Sequence, residues 1–232
     1  MNNDVMIGCP VRNRDWIIKK YLSHLMNLEY PKKKIALSFL VNDSEDNTLD
    51  EIEKFKKNNI NKYKDIRIRE INTGVIKDRR ISNVRKEIYK HLALMRNDFL
   101  DMRVDEDYVF SVDSDILISK KSLKKLIKSD KDIISALIWN NKKKTAPNIM
   151  KFDKRTDRGN KYVHIRDFEK GIFQVDVTGA CYLLKSKVSK NIKYSWHFQG
   201  EDIGFCENAK KSGFEVWTNT SIECNHIMNK NS

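Results

Sequence analysis

The feature of this sequence that most constrains its fold is an alternation, through the first half of the chain, of short apolar runs with segments of helical spacing. Apolar runs at 5–8, 35–41, 65–70 and 108–112 have the length of strands, and between them apolar residues recur every three or four positions, for example in 82–96. Strands that alternate with helices predict an α/β fold with a mostly parallel, doubly wound, Rossmann-like sheet flanked by helices. Ligands of such sheets bind beyond the carboxyl ends of the strands, so we look for functional residues directly after each strand.

The second half of the sequence is less regular. We predict strands at 133–139, 175–184 and 215–218, a helix at 202–213, and a polar connection with weak strands at 140–170. The chain contains no linker rich in Pro, Gly or Ser, and 232 residues suffice for one substantial core. The sequence therefore predicts a single domain over 1–232.

Hydrophobic residues make up 40% of the chain, and no apolar run approaches the roughly 18 residues that a membrane span needs. The N-terminus lacks the basic region and apolar stretch of a secretory signal, so we expect a cytoplasmic protein without a transmembrane segment. Cysteines 9, 181, 206 and 224 form no CxxC pair and are too sparse for a disulfide framework, so we expect buried, reduced thiols.

The net charge of +13 attracts anions, and nucleic acid is one candidate partner. The lysine clusters at 31–34 and 142–144 lack interleaved aromatic residues, which favours a solvated basic surface. A phosphorylated donor, an acidic polymer or a membrane face would also suit this charge. A basic nucleic-acid-binding protein without catalysis stays an alternative to an enzyme.

The central candidate site is Asp113-Ser114-Asp115, which ends the apolar strand at 108–112. Carboxylates two residues apart on an extended chain project from the same side, so they can hold a hard cation that neutralises a diphosphate. Two other Asp-x-Asp pairs, at 105/107 and 130/132, do not end a strand of buried character. A solvated strand end without function is the alternative interpretation of 113/115.

Two further candidates lie near the C-terminus. Glu201 and Asp202 open the predicted helix, where carboxylates either cap the helix or serve as a general base towards an acceptor hydroxyl. His226 follows the last predicted strand and is a candidate metal ligand.

On the nucleotide side of the predicted site, Pro10, Arg12, Asn13 and Arg14 follow the first strand, and Asp43 follows the second. Aspartate can accept hydrogens from uracil or guanine, and arginine suits phosphate. Arg80 and Asn83, at the start of the predicted 82–96 helix, are candidates for ribose-diphosphate contact; charges on an exposed helix face are the alternative.

Taken in order, the segments 9–13, 41–48, 79–85, 112–115 and 200–202, together with His226, resemble the GT-A fold glycosyltransferases, particularly the family 2-like enzymes. The resemblance covers almost the whole chain. It implies a single GT-A domain in which 1–115 forms the nucleotide-binding half and 116–232 the acceptor-binding half.

The resemblance also implies a reaction, namely transfer of a sugar from a UDP- or GDP-sugar donor to an acceptor hydroxyl with Mn²⁺ or Mg²⁺. The roles that it implies are the following: Asp115 and His226 bind the metal; Asp113 binds ribose, the metal or metal-bound water; Pro10, Arg12, Asn13, Asp43, Arg80, Asn83 and Ser114 bind the donor; Asp202 is the catalytic base; Glu201 orients the acceptor; Gly179 and Trp196 contact the acceptor.

Two departures narrow this assignment. The usual Asp-Asp-Gly-Ser turn is replaced by Asn-Asp-Ser-Glu at 42–45, and the QxxRW signature is missing, which disfavours a processive membrane synthase. The chain also looks like retaining relatives of the fungal mannan-polymerase type, so inversion and retention both stay open. A nucleotidyltransferase is disfavoured because no Gly-rich loop follows the first strand. Glycan, protein, lipid and modified-base acceptors all remain candidates.

Overall fold

A computed structural model describes residues 3–74 and 85–230, which contain one nine-stranded sheet, a separate hairpin and flanking helices. The strands are β1 (Val5–Val11), β2 (Ile35–Asn42), β3 (Asp65–Ile71), β4 (Tyr108–Val112), β5 (Ile116–Leu117), β6 (Ile133–Ile138), β7 (Met150–Thr156), β8 (Gly159–His164), β9 (Ile172–Gln174), β10 (Cys181–Lys185) and β11 (Val216–His226). The helices are α1 (Ile18–Met26), α2 (Thr48–Asn59), α3 (Arg85–Leu100), α4 (Ser122–Lys128), α5 (Ser186–Asn191) and α6 (Glu201–Lys211).

The large sheet has the order β3-β2-β1-β4-β10-β6-β11-β5, and β9 pairs with β11. Strands β3, β2, β1 and β4 pair in parallel, as the sequence predicts. Strand β10 is antiparallel to both β4 and β6, and β5 and β9 are antiparallel to β11. The sheet is therefore mixed, with six strands in one direction, and the carboxyl ends of β1, β2 and β4 share one edge.

Alternate residues of the strands face two separate apolar cores, one on each side of the sheet. Ile7 of β1 belongs to the core beneath α1, α2 and α4, whereas its neighbour Met6 belongs to the core beneath α3, α5 and α6. This two-sided burial explains why β1, β2 and β4 consist almost wholly of apolar residues, and it confirms the predicted arrangement of helices on both faces.

The second half differs from the prediction in two strands. The strand expected at 175–184 is only Cys181–Lys185, because Ala180 adopts a left-handed conformation (φ 64°) that interrupts an extended chain. The strand expected at 215–218 runs instead from Val216 to His226, with a register shift between Asn219 and Glu223. His226 is thus the last residue of a long strand and does not follow a short one.

Other boundaries are close to those predicted. The weak strands expected within 140–170 form the hairpin of β7 and β8, and α6 begins at Glu201, one residue early. In the described part of the chain, all four cysteines are free and buried, and no helix has both the length and the apolar character to cross a bilayer.

Candidate functional site

A cleft of about 990 Å³ opens beyond the carboxyl ends of β1 and β4 and continues between α6 and the β7–β8 hairpin. Its lining brings together residues from both ends of the sequence. Of the residues singled out in the sequence, those that line the cleft are Pro10, Arg12, Asp113, Ser114, Asp115, Gly179, Glu201, Asp202 and His226.

Asp115 lies in the turn after β4, where it meets two basic side chains. Arg14 Nη2 is 3.3 Å from Oδ2, and His226 Nε2 is 3.8 Å from Oδ1. The backbone N–H of Ile227 donates to the Asp115 carbonyl oxygen at 2.9 Å, which fixes the end of β11 beside the aspartate. Burial and the nearby charge of Asp113 raise the pKa of Asp115, although Arg14 and His226 oppose the shift. A further positive charge at this point would stabilise the carboxylate.

The same residues have the chemistry of a partial metal site. His226 Nδ1 is buried and lacks a hydrogen-bond partner among the described residues. Residues 3–74 and 85–230 contain no group of three or more His, Cys, Asp or Glu side chains placed to hold a metal ion. Asp115 and His226 therefore fit a cation that takes its remaining ligands from a bound diphosphate and water.

Arg96, near the C-terminal end of α3, connects the two acidic motifs. Its guanidinium donates to both oxygens of Asp113, at 3.0 and 3.1 Å, and its Nε donates to Glu201 Oε1 at 3.0 Å. Asp202 Oδ1 lies 3.7 Å from the same Nε. Burial opposes the charge of Arg96, but Asp113, Asp202 and Glu201 hold its pKa well above the ordinary value. One cation thus faces three carboxyl groups.

The pKa of Asp202 reflects this excess of carboxyl groups over cations. Its Oδ1 is buried without a hydrogen-bond partner in the described chain, although 27% of the side chain is exposed. Burial, with the charges of Glu201 and Asp113, raises the pKa of Asp202 to about 8 despite Arg96. Gly200 is the N-cap of α6 and no side chain caps this helix end, so neither acidic residue serves as a side-chain cap.

The backbone at Gly179 forms the part of the cleft surface against which the Asp202 carboxyl group packs. A Cβ atom at this position would lie 2.1 Å from Asp202 Oδ2. The next residue, Ala180, accepts a hydrogen bond from the backbone N–H of Asp113 at 2.9 Å. Gly179 therefore positions an acidic residue as well as lining the cleft.

Asp43, directly after β2, accepts hydrogen bonds from the loop that follows β3. Thr73 donates its N–H and its hydroxyl to the two carboxylate oxygens, both at 2.7 Å, and the N–H of Gly74 donates to Oδ1 at 3.0 Å. Burial alone would raise the pKa of Asp43, but these hydrogen bonds lower it. Asp43 is outside the cleft lining, as is Asn13, whose Oδ1 accepts a hydrogen bond from the N–H of Glu45 at 2.8 Å.

Of the three remaining predicted residues, two lie outside the described part of the chain and one does not line the cleft. Arg80 and Asn83 lie outside the described residues. Trp196 is 38% exposed and does not line the cleft; Lys86 Nζ lies 5.4 Å from the centre of its ring. Phe198, close to it in sequence, does line the cleft.

Sequence reasoning missed one arginine of the site, Arg96. It is on the apolar side of α3, one turn after Leu92, and an arginine in an apolar stripe is a signal of a buried ion pair. Arg14, three residues after β1, belongs to the segment that the sequence singled out, but no role was assigned to it there.

Comparison with known proteins gives a consistent family and fold. A family model described as Anp1 matches residues 1–161. A Glycosyltransferase 25 family member of Aedes aegypti is 22% identical over 244 residues, an alignment that covers 97% of this chain and 40% of that protein. The chain thus spans well under half of this relative's length.

Two solved structures show the same fold. TarS 1–349 of S. aureus in complex with UDP-GlcNAc has a TM-score of 0.62 at 17% identity, covering 99% of this chain and 61% of that one. The mannosyltransferase PcManGT of Pyrobaculum calidifontis, in complex with GDP-Man and Mn²⁺, has a TM-score of 0.63 at 12% identity, covering 100% and 59%. The predicted GT-A fold is confirmed.

Proposed function

This chain belongs to the Anp1 family, and from that premise we propose that it is a metal-dependent glycosyltransferase that moves a sugar from a UDP- or GDP-sugar to an acceptor hydroxyl. The observation that carries the proposal is the shared cleft: Asp115 and His226 lie on the same cleft as Glu201 and Asp202, and Arg96 connects the two acidic motifs. A donor bound by the first pair would be within reach of the second.

The donor would lie across the carboxyl ends of β1 and β4. Pro10 and Arg12 line this part of the cleft, and Arg12 Nε donates to the Asp43 carbonyl oxygen at 3.3 Å, which joins the ends of β1 and β2. We assign Arg12 and Arg14 to the phosphates and the loop around Asp43 to the nucleoside. Ser114 lies between the two aspartates at the diphosphate position.

Asp115 and His226 would hold the divalent cation, Mn²⁺ or Mg²⁺. When bound, the cation offsets the negative charge of the departing diphosphate. PcManGT was solved with Mn²⁺, which supports the choice of ion. Asp113 has both oxygens engaged by Arg96, but each oxygen retains a second lone pair for ribose or for a metal-bound water.

Asp202 is assigned as the general base. It would accept the acceptor hydroxyl proton as that oxygen attacks the anomeric carbon, which gives inversion when the attack is opposite the diphosphate. A pKa of about 8 lies near physiological pH, where a general base combines adequate ionisation with proton affinity. Glu201, held by Arg96, would fix the start of α6 and orient the acceptor.

Membership of the Anp1 family supports a second candidate, transfer with retention of configuration. The same residues would then bind the donor and the cation. Asp202 would contact the acceptor but would not serve as the base of a direct, inverting displacement. Proton NMR of the product anomer, observed early in the reaction, separates inversion from retention.

A donor screen tests the proposal. Purified protein is incubated with UDP- and GDP-linked sugars, with Mn²⁺, with Mg²⁺ or with EDTA, and release of nucleotide is measured. We expect slow hydrolysis of one nucleotide class that depends on the added cation. Absence of both hydrolysis and donor-induced thermal stabilisation across the set would refute the proposal.

A further inference from the structure

The hairpin formed by β7 and β8 is a basic arm beside the cleft. All five residues from Lys151 to Arg155 of β7 are exposed, so the strand presents both of its faces to solvent. The hairpin also contributes Met150, Arg158 and His164 to the cleft lining. The arm is therefore continuous with the part of the cleft that Asp202 occupies.

The positive charges of this arm are mostly uncompensated. Lys161 Nζ pairs with Asp153 Oδ2 at 3.2 Å. Lys151, Lys154, Arg155 and Arg158 have no ion pair with any residue that the structure describes. The hairpin thus carries four free cations, and one of them, Arg158, reaches the cleft.

The register of the hairpin brings like charges together. Lys154 lies directly opposite Lys161, and Arg155 lies opposite Asn160. Like charges at directly opposed positions of an antiparallel pair are destabilising, although the ion pair of Lys161 with Asp153 offsets part of the repulsion here. A bound anion beside Lys154 and Arg155 would offset more of it.

A second basic segment adjoins the hairpin. His164 Nδ1 donates to the Pro147 carbonyl oxygen at 2.6 Å, which fastens the end of β8 to the loop at 140–147. Lys142 and Lys143 of this loop are exposed, and Asn140 lines the cleft. The hairpin and the exposed lysines of the 140–147 loop together form a basic rim beside the cleft.

From these contacts, and resting on the proposed transfer reaction, we propose that the acceptor is an anionic carbohydrate whose phosphate or other acidic groups bind the basic rim while its hydroxyl faces Asp202. Arg158 lines the cleft and lies where the basic hairpin meets it. Nucleic acid is disfavoured because the hairpin offers one exposed aromatic ring, Phe152, whereas Tyr162 is only 3% exposed, and stacking of successive bases needs several free rings.

Direct binding tests this inference with probes that differ only in charge. Dextran and phosphorylated dextran are titrated against the full chain in the presence of UDP or GDP with Mn²⁺, so that nucleotide occupies the diphosphate position. We expect the wild type to bind phosphorylated dextran and not dextran. Lys154→Glu combined with Arg155→Glu should weaken binding by roughly tenfold or more, the loss expected for removed charge-assisted contacts.

The matched control is Lys124→Glu combined with Lys125→Glu, which makes the same change in net charge on two adjacent exposed residues of α4. Helix α4 packs on the core of the opposite face from Tyr162 of the hairpin. We expect this control to weaken binding no more than about twofold, because distant exposed charges are screened by salt. Equal losses in both variants, or no binding by the wild type, would overturn the inference.

Two further binding measurements identify the source of the anion. Vesicles of phosphatidylcholine with phosphatidylglycerol, compared with phosphatidylcholine alone, report a lipid-borne phosphate, and soluble phosphorylated dextran reports a glycan-borne one. Random RNA that binds more tightly than either, with the same dependence on Lys154 and Arg155, would overturn the inference in favour of nucleic acid. Donor hydrolysis by the wild type, measured in parallel, reports on the proposed function separately from the hairpin.

Discussion

The two halves of the molecule, before and after Asp115, place their site residues with different kinds of backbone. In the first half, parallel strands deliver Arg12, Asp43 and Asp115 directly after their carboxyl ends. In the second half, Asp202 and His226 come from a helix start and from the end of an irregular strand. Regular strand ends thus position most of the donor side, whereas Asp202 and His226 depend on the close approach of Gly179 and on long-range strand pairing.

The sharpest test of the donor half is Asp115→Ala. Loss of the carboxylate removes one of the two protein groups assigned to the cation, so we expect metal-dependent release of nucleotide to fall by about a thousandfold or more. Asp105→Ala is the matched control, because Asp105 belongs to another Asp-x-Asp pair but is exposed and pairs with Lys64 at 2.7 Å. A similar loss in both variants would remove the distinction between a site aspartate and a surface one.

Arg96 connects the two halves, so its removal should damage both. Arg96→Leu leaves the buried Glu201 and the part-buried Asp113 without their partner, and we expect the free energy of unfolding to fall by roughly 3–5 kcal/mol. Arg67→Leu is a matched control, since Arg67 also bridges two acidic residues, Asp65 and Glu106, away from the cleft lining.

Chemical denaturation and turnover per folded molecule separate the two arginines. Both variants should be less stable. Only Arg96→Leu should also lower turnover after correction for the folded fraction, because Arg96 contacts the acidic motifs. Unchanged corrected turnover would make Arg96 a residue of stability alone.

Asp202→Asn probes the acceptor half. The amide cannot accept the hydroxyl proton as a base, so we expect transfer to slow by about a hundredfold or more while donor binding persists. The variant should also melt at a higher temperature at neutral pH, because Asp202 must bind a proton on folding at a pH above its pKa in the unfolded chain, and asparagine avoids that cost. Glu207→Gln, further along α6, is the control, and a comparable loss of turnover there would argue against a special role for Asp202.

The sequence predicted the donor half better than the acceptor half for a physical reason. Strands β1, β2 and β4 are buried on both faces, so their apolar runs and the polar residues after them are visible locally. The antiparallel insertion of β10 between β4 and β6 is set by pairing between distant segments, which leaves no local signal. The sequence singled out the strand end at Asp113–Asp115, the acidic pair and His226, which all line the cleft, whereas the Gly179 contact and the basic hairpin required coordinates.

Gly179→Ala tests the close approach of the backbone to Asp202 in the acceptor half. The added Cβ would meet Asp202 Oδ2 at 2.1 Å, so the carboxyl group must move, and we expect a cost of about 1–3 kcal/mol, in stability, in transfer or divided between them. Gly171→Ala is the control, because a Cβ there meets nothing within 4 Å. Calorimetry and steady-state kinetics on both variants measure the difference; equal behaviour would show that the cleft wall yields without cost.

Measured per pH unit, the smallest expected effect is a difference in the pH dependence of stability between wild type and Asp202→Asn. The pKa of Asp202 is about 8 in the folded protein and near the ordinary value in the unfolded chain, so the folded state binds the proton more tightly. Between these two values the unfolding free energy of the wild type, relative to the variant, should fall as pH rises, by at most about 1.4 kcal/mol per pH unit. Below the ordinary pKa and above 8 the difference should be constant. Denaturation of the protein without nucleotide or cation measures it, and a difference that rose with pH would mean that Arg96 outweighs burial and that Asp202 is ionised throughout.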